Sequence, residues 1–317
     1  MLVDGLRPLW LPAIAGVSGV PGGRISEWVG EGQYYFDRPV GPASASFVLT
    51  PGAELVDIFA AEMSRFLSAA IETSVGITQP GMPKSTAWLF IQTYYAAFYA
   101  AHSLMRSVGI SASNFKVSEC QRADTVAAAL GFLSAPLNAA QFRCEYVSVA
   151  GRLECTKTNG SGVHEQFWRV FDGFLQNAMT RVLQNASLGA ADSQDIFSRL
   201  EALRSVLTSS GHGAAGNWLS TIRNDVTYKQ LHKAWFPYGR SRADCDRLFA
   251  LQKQWRKAPD EIHLQPPNVI DAERFVLTCA FLVSLAIAVT KDMAARSPSG
   301  ASFLSGGPLK LLNQAPG

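Results

Sequence analysis

Twenty consecutive residues, Thr86 to Met105, carry no formal charge, and sixteen more, Phe275 to Thr290, run uncharged between Arg274 and Lys291. A helix that spans a membrane needs roughly 20 predominantly apolar residues. The first stretch has that length but contains Gln92, Thr93, Tyr94, Tyr95, His102 and Ser103, and the second is short. Both read as central helices buried on all sides. A chain with two such helices is expected to pack further helices around them. Its 48% hydrophobic and 17% charged residues suit a globular protein.

The rest of the pattern agrees. Between Ala53 and Glu72, Leu55, Ile58, Phe59, Met63, Phe66, Leu67 and Ala70 recur at helical spacing. The uncharged helix follows, with Ser85 or Thr86 as its N-cap. Further helices are expected at 123–132, 163–186, 193–209, 216–231, 241–256 and 270–295. Residues 110–160 differ in texture. Phe142, Cys144 and Tyr146 alternate with polar neighbours, and Ala150-Gly151 leads into Arg152-Leu153, which predicts a hairpin. Residues 1–50 are rich in Gly and Pro and predict loops with a few short strands. The expected architecture is mainly α: a helical bundle over 51–296, with a small β-hairpin insertion at about 110–160. An irregular N-terminal segment, 1–50, precedes it, and a flexible tail, 297–317, follows.

Several function classes receive no support. The five cysteines and five histidines are scattered, so neither a disulfide framework nor a metal site is expected, and no cofactor. Gly16-Val-Ser-Gly-Val-Pro-Gly22-Gly23 lacks the Lys-Ser/Thr of a phosphate-binding loop. An acid near the start and interrupting prolines argue against a signal peptide, so a cytoplasmic protein without a membrane partner is expected.

Charge concentrates in one place. Between Arg223 and Lys257 stand nine Lys/Arg against three acids, a local +6 in a chain of +3. Tyr228, Trp235, Phe236, Tyr238 and Trp255 are interleaved with them. Cations alternating with aromatic rings suit a phosphate backbone with unstacked bases. Lys229, Lys233, Arg240, Arg242, Lys253 and Arg256 are therefore the candidate contacts to RNA or another single strand. The plain alternative is a solvated helix face and loop.

Two motifs resemble the HEPN superfamily: the helix bearing Tyr94-Tyr95-Ala-Ala-Phe98-Tyr99-Ala-Ala and ending in Gly109, and the later helix with Arg223-Asn224. The resemblance covers about 45 of the 317 residues. It implies a small helical domain, commonly dimeric, of a kind found in toxin–antitoxin and antiviral systems and in many cases a metal-independent ribonuclease. The family signature is an arginine, then a polar residue, then a histidine after four to six intervening residues. Arg223 and Asn224 match, Tyr228 stands in the histidine slot, and His232 comes later. Arg223, Asn224, Tyr228 and His232 are the catalytic candidates that the resemblance implies, with Arg223 as an exposed active-site cation.

Helical geometry bears on that set. Arg223 and Tyr228 lie about 140° apart at 100° per residue, so a shared site is most easily completed across a two-fold interface with a second copy or a related partner. Cleaving RNA without a metal needs a base for the 2′-hydroxyl and a cation for the phosphorane oxygens. Tyrosine, whose ordinary pKa is about 10, is a poor base. A degenerate subunit that binds nucleic acid or scaffolds a defence complex is the alternative. Tyr228 otherwise reads as a packing residue, and Tyr94, Tyr95, Phe98, Tyr99 and His102 as core. His164-Glu165 reads as the polar start of a helix.

Overall fold

The computed structural model describes residues 1–11, 13–18, 22–50, 55–78, 85–208, 216–235, 241–266, 268–298 and 302–315. Its helices are α1 (Leu2–Leu6), α2 (Ile25–Glu31), α3 (Leu55–Thr78), α4 (Thr86–Ser107), α5 (Val117–Ala129) and α6 (Val163–Gln184). Then come α7 (Ala190–Leu207), α8 (Trp218–Lys229), α9 (Ser241–Gln252), α10 (Asp271–Ala295), α11 (Phe303–Gly306) and α12 (Pro308–Gln314). The strands are β1 (Tyr34–Tyr35), β2 (Ser44–Leu49), β3 (Ile110–Phe115), β4 (Ala140–Val147) and β5 (Arg152–Lys157).

The two helices that carry the uncharged stretches, α4 and α10, sit at the centre. They pack on each other, with Phe90 and Phe275 rings 5.1 Å apart. Ser85 caps α4 by accepting from the Trp88 N–H. By length and composition α10 could cross a membrane, but most of its apolar window is buried inside the protein. Around this pair, α3, α6, α7 and α8 close a core that includes Leu67, Phe98, Phe171, Leu200, Ile222 and Val283.

The predicted hairpin is present as β4 and β5, with Cys144 opposite Cys155 and Gly151 turning the chain at φ +59°. It belongs to something larger: a five-stranded antiparallel sheet in the order β1-β2-β5-β4-β3. Two of those strands come from the Gly- and Pro-rich N-terminal segment. Ser44–Val48 pair with Thr156–Arg152, so early sequence is built into the sheet. One face of the sheet forms a second core with α2, α3 and α5, from Trp28, Phe47, Phe59, Phe115, Phe142 and Cys155. All five cysteines are unpaired and buried. In the segment expected as a flexible tail, α11 and α12 form and Phe303 and Leu304 are buried.

A buried ion pair joins α3 to α4. Arg106 Nε donates to Glu62 Oε2 at 2.9 Å, and Glu62 Oε1 accepts from the Ile25 N–H at 3.1 Å. Arg106 Nη1 lies 2.7 Å from His102 Nδ1, and the imidazole is stacked between Phe66 and Phe167. His102 is thus a core residue, as its setting in α4 predicts.

Candidate functional site

Arg223 leads to the site. It sits in the middle of α8, which lies along α4. Gly216 fixes the entry to that helix: at φ +73° it passes so close to α6 that a Cβ would come within 2.9 Å of Asp172. Packing turns Arg223 inward. Only 6% of the residue is exposed, against the exposed cation that the motif suggests. Its guanidinium carbon stands 5.1 Å from the Tyr94 ring and 5.8 Å from the Tyr95 ring. Cation–π contact holds it there. Among the described residues no carboxylate pairs with it, and its Nε has no hydrogen-bond partner.

The histidine beside this arginine is His164. It enters from the first turn of α6 and packs on Phe98, with ring centres 4.7 Å apart. The Tyr94 hydroxyl lies 2.8 Å from His164 Nδ1, and Trp168 Nε1 donates to the same hydroxyl at 3.0 Å. An indole N–H can only donate, which leaves the hydroxyl its own proton and a second lone pair, so either Tyr94 or His164 Nδ1–H can be the donor between them. Burial, and then the charge of Arg223, push the His164 pKa down to about 4, so the imidazole is neutral at physiological pH. Burial likewise raises the pKa of Tyr94. Arg223, Tyr94 and His164 together form a fixed cation beside a neutral imidazole, half open to solvent through His164 and Tyr95. Chemically, a cation without a counter-charge can take an anion.

The other expected residues go elsewhere. Tyr228 is 74% exposed, so it is neither a packing residue nor a neighbour of the buried guanidinium. Gln230, at φ +55°, ends α8, and His232 and Lys233 also have positive φ. This turn sends His232 back over α4, one helical turn before Tyr94. There it stacks on Phe90 at 6.5 Å, with Nε2 3.7 Å from Asp225 Oδ2. The sequence set of Arg223, Tyr228 and His232 is therefore not assembled. Asn224 is half-buried beside Arg223 in the chain.

The basic segment is also divided. Lys229 pairs with Asp225 at 2.8 Å and Arg247 with Glu273 at 2.7 Å, which offsets part of the charge. Lys233 lies in the turn beyond α8, whereas Lys253 and Arg256 belong to a 3-10 turn against α10. Arg256 covers the Trp255 ring at 4.5 Å. Arg240 and the side chain of Arg242 lie outside the described residues. No cluster of three metal-ligating side chains occurs among the described residues.

Two observations thus define the molecule: a mainly helical fold carrying a five-stranded antiparallel sheet, and a buried arginine beside a neutral histidine. No family model, curated protein or solved structure matches the chain.

Proposed function

We propose that this chain is a HEPN-like subunit that grips phosphates of RNA or another single strand without cutting them. It serves a toxin–antitoxin or antiphage complex in the cytoplasm, paired with a second copy or a partner protein. One observation carries this reading: Arg223 is more than nine-tenths buried without a carboxylate partner among the described residues, next to an imidazole that is neutral at physiological pH. Burying a charge unpaired costs on the order of several kcal/mol. A phosphate oxygen supplies the missing counter-charge and accepts from the guanidinium. Cleavage needs a base, and His164, its pKa pushed down to about 4 by burial and then by Arg223, is a weak one.

The ribonuclease reading has one specific observation in its favour. Part of the depression of the His164 pKa comes from Arg223, and a bound phosphate removes that part. The imidazole then regains basicity only once RNA is in place.

A single experiment separates the two. Labelled single-stranded RNA is titrated with the protein in a metal chelator, and the RNA is then run on a denaturing gel. The binding subunit leaves RNA intact, binds more weakly as salt rises, and loses binding in Arg223→Met. Cleavage that disappears in both Arg223→Met and His164→Gln establishes the nuclease instead. Wild-type protein that neither binds nor cuts sinks both readings.

A further inference from the structure

A cavity lies away from Arg223, at the other end of α10. Its volume is about 360 Å³, and it is walled by the turn Trp255–Pro259, by one stripe of α10 and by Leu312 and Asn313 of α12. The stripe consists of Ser284, Ile287, Ala288 and Lys291, spaced as one face of a helix. Ser284 stands nine residues beyond Phe275, roughly 14 Å further along the axis. Phe275 is the α10 residue that touches Phe90 and Trp218, so the cavity is well separated from the α8 contact.

Its chemistry is one-sided. Trp255, Ala258, Pro259, Ile287, Ala288 and Leu312 make an apolar body, and the charged groups in the wall are Arg256, Lys257 and Lys291. Among the described residues the wall holds no carboxylate. The two nearest acids along the chain are engaged elsewhere. Asp292 takes Arg7 at 2.8 Å and Arg296 at 3.3 Å, while Asp260 faces the N-terminal amine at 3.6 Å and Arg199 at 3.9 Å. The wall is also anchored. Ser284, 1% exposed, donates its hydroxyl proton to the Lys257 carbonyl at 2.6 Å, which ties the lysine's backbone to α10.

We infer that this cavity binds a small organic phosphate of mononucleotide size, its phosphate held by Lys257 and Lys291 and its ring body lying on the apolar wall. The volume falls in the range of sites for such ligands, roughly 300–1,000 Å³. Lysine ammonium groups at the rim act as compact point charges for phosphate oxygens. The site is independent of Arg223 and lets a soluble nucleotide be sensed by the same chain.

The test is isothermal titration of the full-length protein with adenosine monophosphate, and separately with inorganic phosphate. The expected result is saturable binding of the nucleotide, weakened at least tenfold by the double substitution Lys257→Ala/Lys291→Ala and unchanged by Arg223→Met. Both lysines are exposed, so the double variant is expected to melt like wild type, which circular dichroism checks. No binding at millimolar nucleotide overturns the inference, as does binding that the double variant keeps. Loss of binding in Arg223→Met moves the ligand to the other site and overturns it too. Inorganic phosphate binding as tightly as the nucleotide removes the role of the apolar wall and overturns the assignment of an organic ligand.

Discussion

Among the described residues two arginines are buried, and they are buried differently. Arg106 is 2% exposed and complete: Glu62 at 2.9 Å neutralises it, His102 fills another nitrogen, and Phe66 covers a face at 4.8 Å. Arg223, 6% exposed, has two tyrosine rings, a neutral histidine nearby and no acid among the described residues. Burial alone therefore does not separate a structural cation from a functional one. The counter-charge does. Where the protein supplies it, the arginine fastens helices; where it does not, the proposed function has an anion from outside complete the site.

The largest effect that can break this comparison is expected at Glu62. Glu62→Gln leaves the shape and strands the Arg106 charge, which should cost about 3 to 5 kcal/mol in urea denaturation. A loss under about 1 kcal/mol would mean that Arg106 is no better paired than Arg223. Next comes Arg223→Met, which removes an unpaired charge and keeps an apolar stem over the rings. Stability should change by no more than about 1 kcal/mol, because lost cation–π contact and relieved desolvation oppose each other. RNA affinity should drop tenfold or more. A large stability loss with RNA affinity unchanged would make Arg223 a second structural arginine.

A third test uses pH. The folded pKa of His164 lies near 4, below its ordinary value of 6.5, so between these values the unfolded chain binds the extra proton. Its contribution to stability is complete above pH 6.5 and is lost as pH falls toward 4. His164→Gln should flatten part of the slope of stability against pH in that window. Part should remain, because His102 is depressed in the same direction by burial, then by Arg106 and His164. An unchanged slope would show that His164 is not held neutral by its surroundings. The smallest effect is expected at Tyr228. It is 74% exposed, so Tyr228→Ala should move stability by less than about 0.5 kcal/mol and leave RNA binding by a single copy intact. Weaker self-association in the same variant, seen by light scattering, would give that tyrosine an interface role.

The helices were legible because their apolar residues repeat at the helical period, and α3, α4, α6, α8 and α10 fall where that pattern places them. The sheet was legible only at β4 and β5, where alternation is strong. β3, Ile110-Ser-Ala-Ser-Asn-Phe115, carries small polar residues inward, and Ser111 and Ser113 satisfy each other at 2.9 Å. β2 lies among glycines and prolines, and its pairing with β5 spans more than a hundred residues. Such pairings depend on tertiary contact rather than on local preference. At the site, Arg223 could be singled out but His164 could not, because the two meet only through the packing of α8 and α6 on α4. A signal did exist. His164, Phe167, Trp168 and Phe171 share one helical stripe, which places the histidine on the inward side of α6 rather than among the polar residues that open it. Tyr228 misled because motif spacing counts residues along the chain, and the 140° between it and Arg223 puts one in water and the other in the core.

The helix α3 belongs to both cores. Leu55, Phe59, Ala60 and Met63 point into the sheet core, and Leu67, Ala70, Ile71 and Ile77 into the helical one. Its 24 residues span about 36 Å, and Glu62 lies where one core gives way to the other. A rod shared in this way couples the melting of the two halves: peeling the sheet off exposes half of a helix whose remainder is still clamped. The Glu62–Arg106 pair works as a latch at that seam. It ties the seam to α4, the helix that carries Tyr94 and Tyr95.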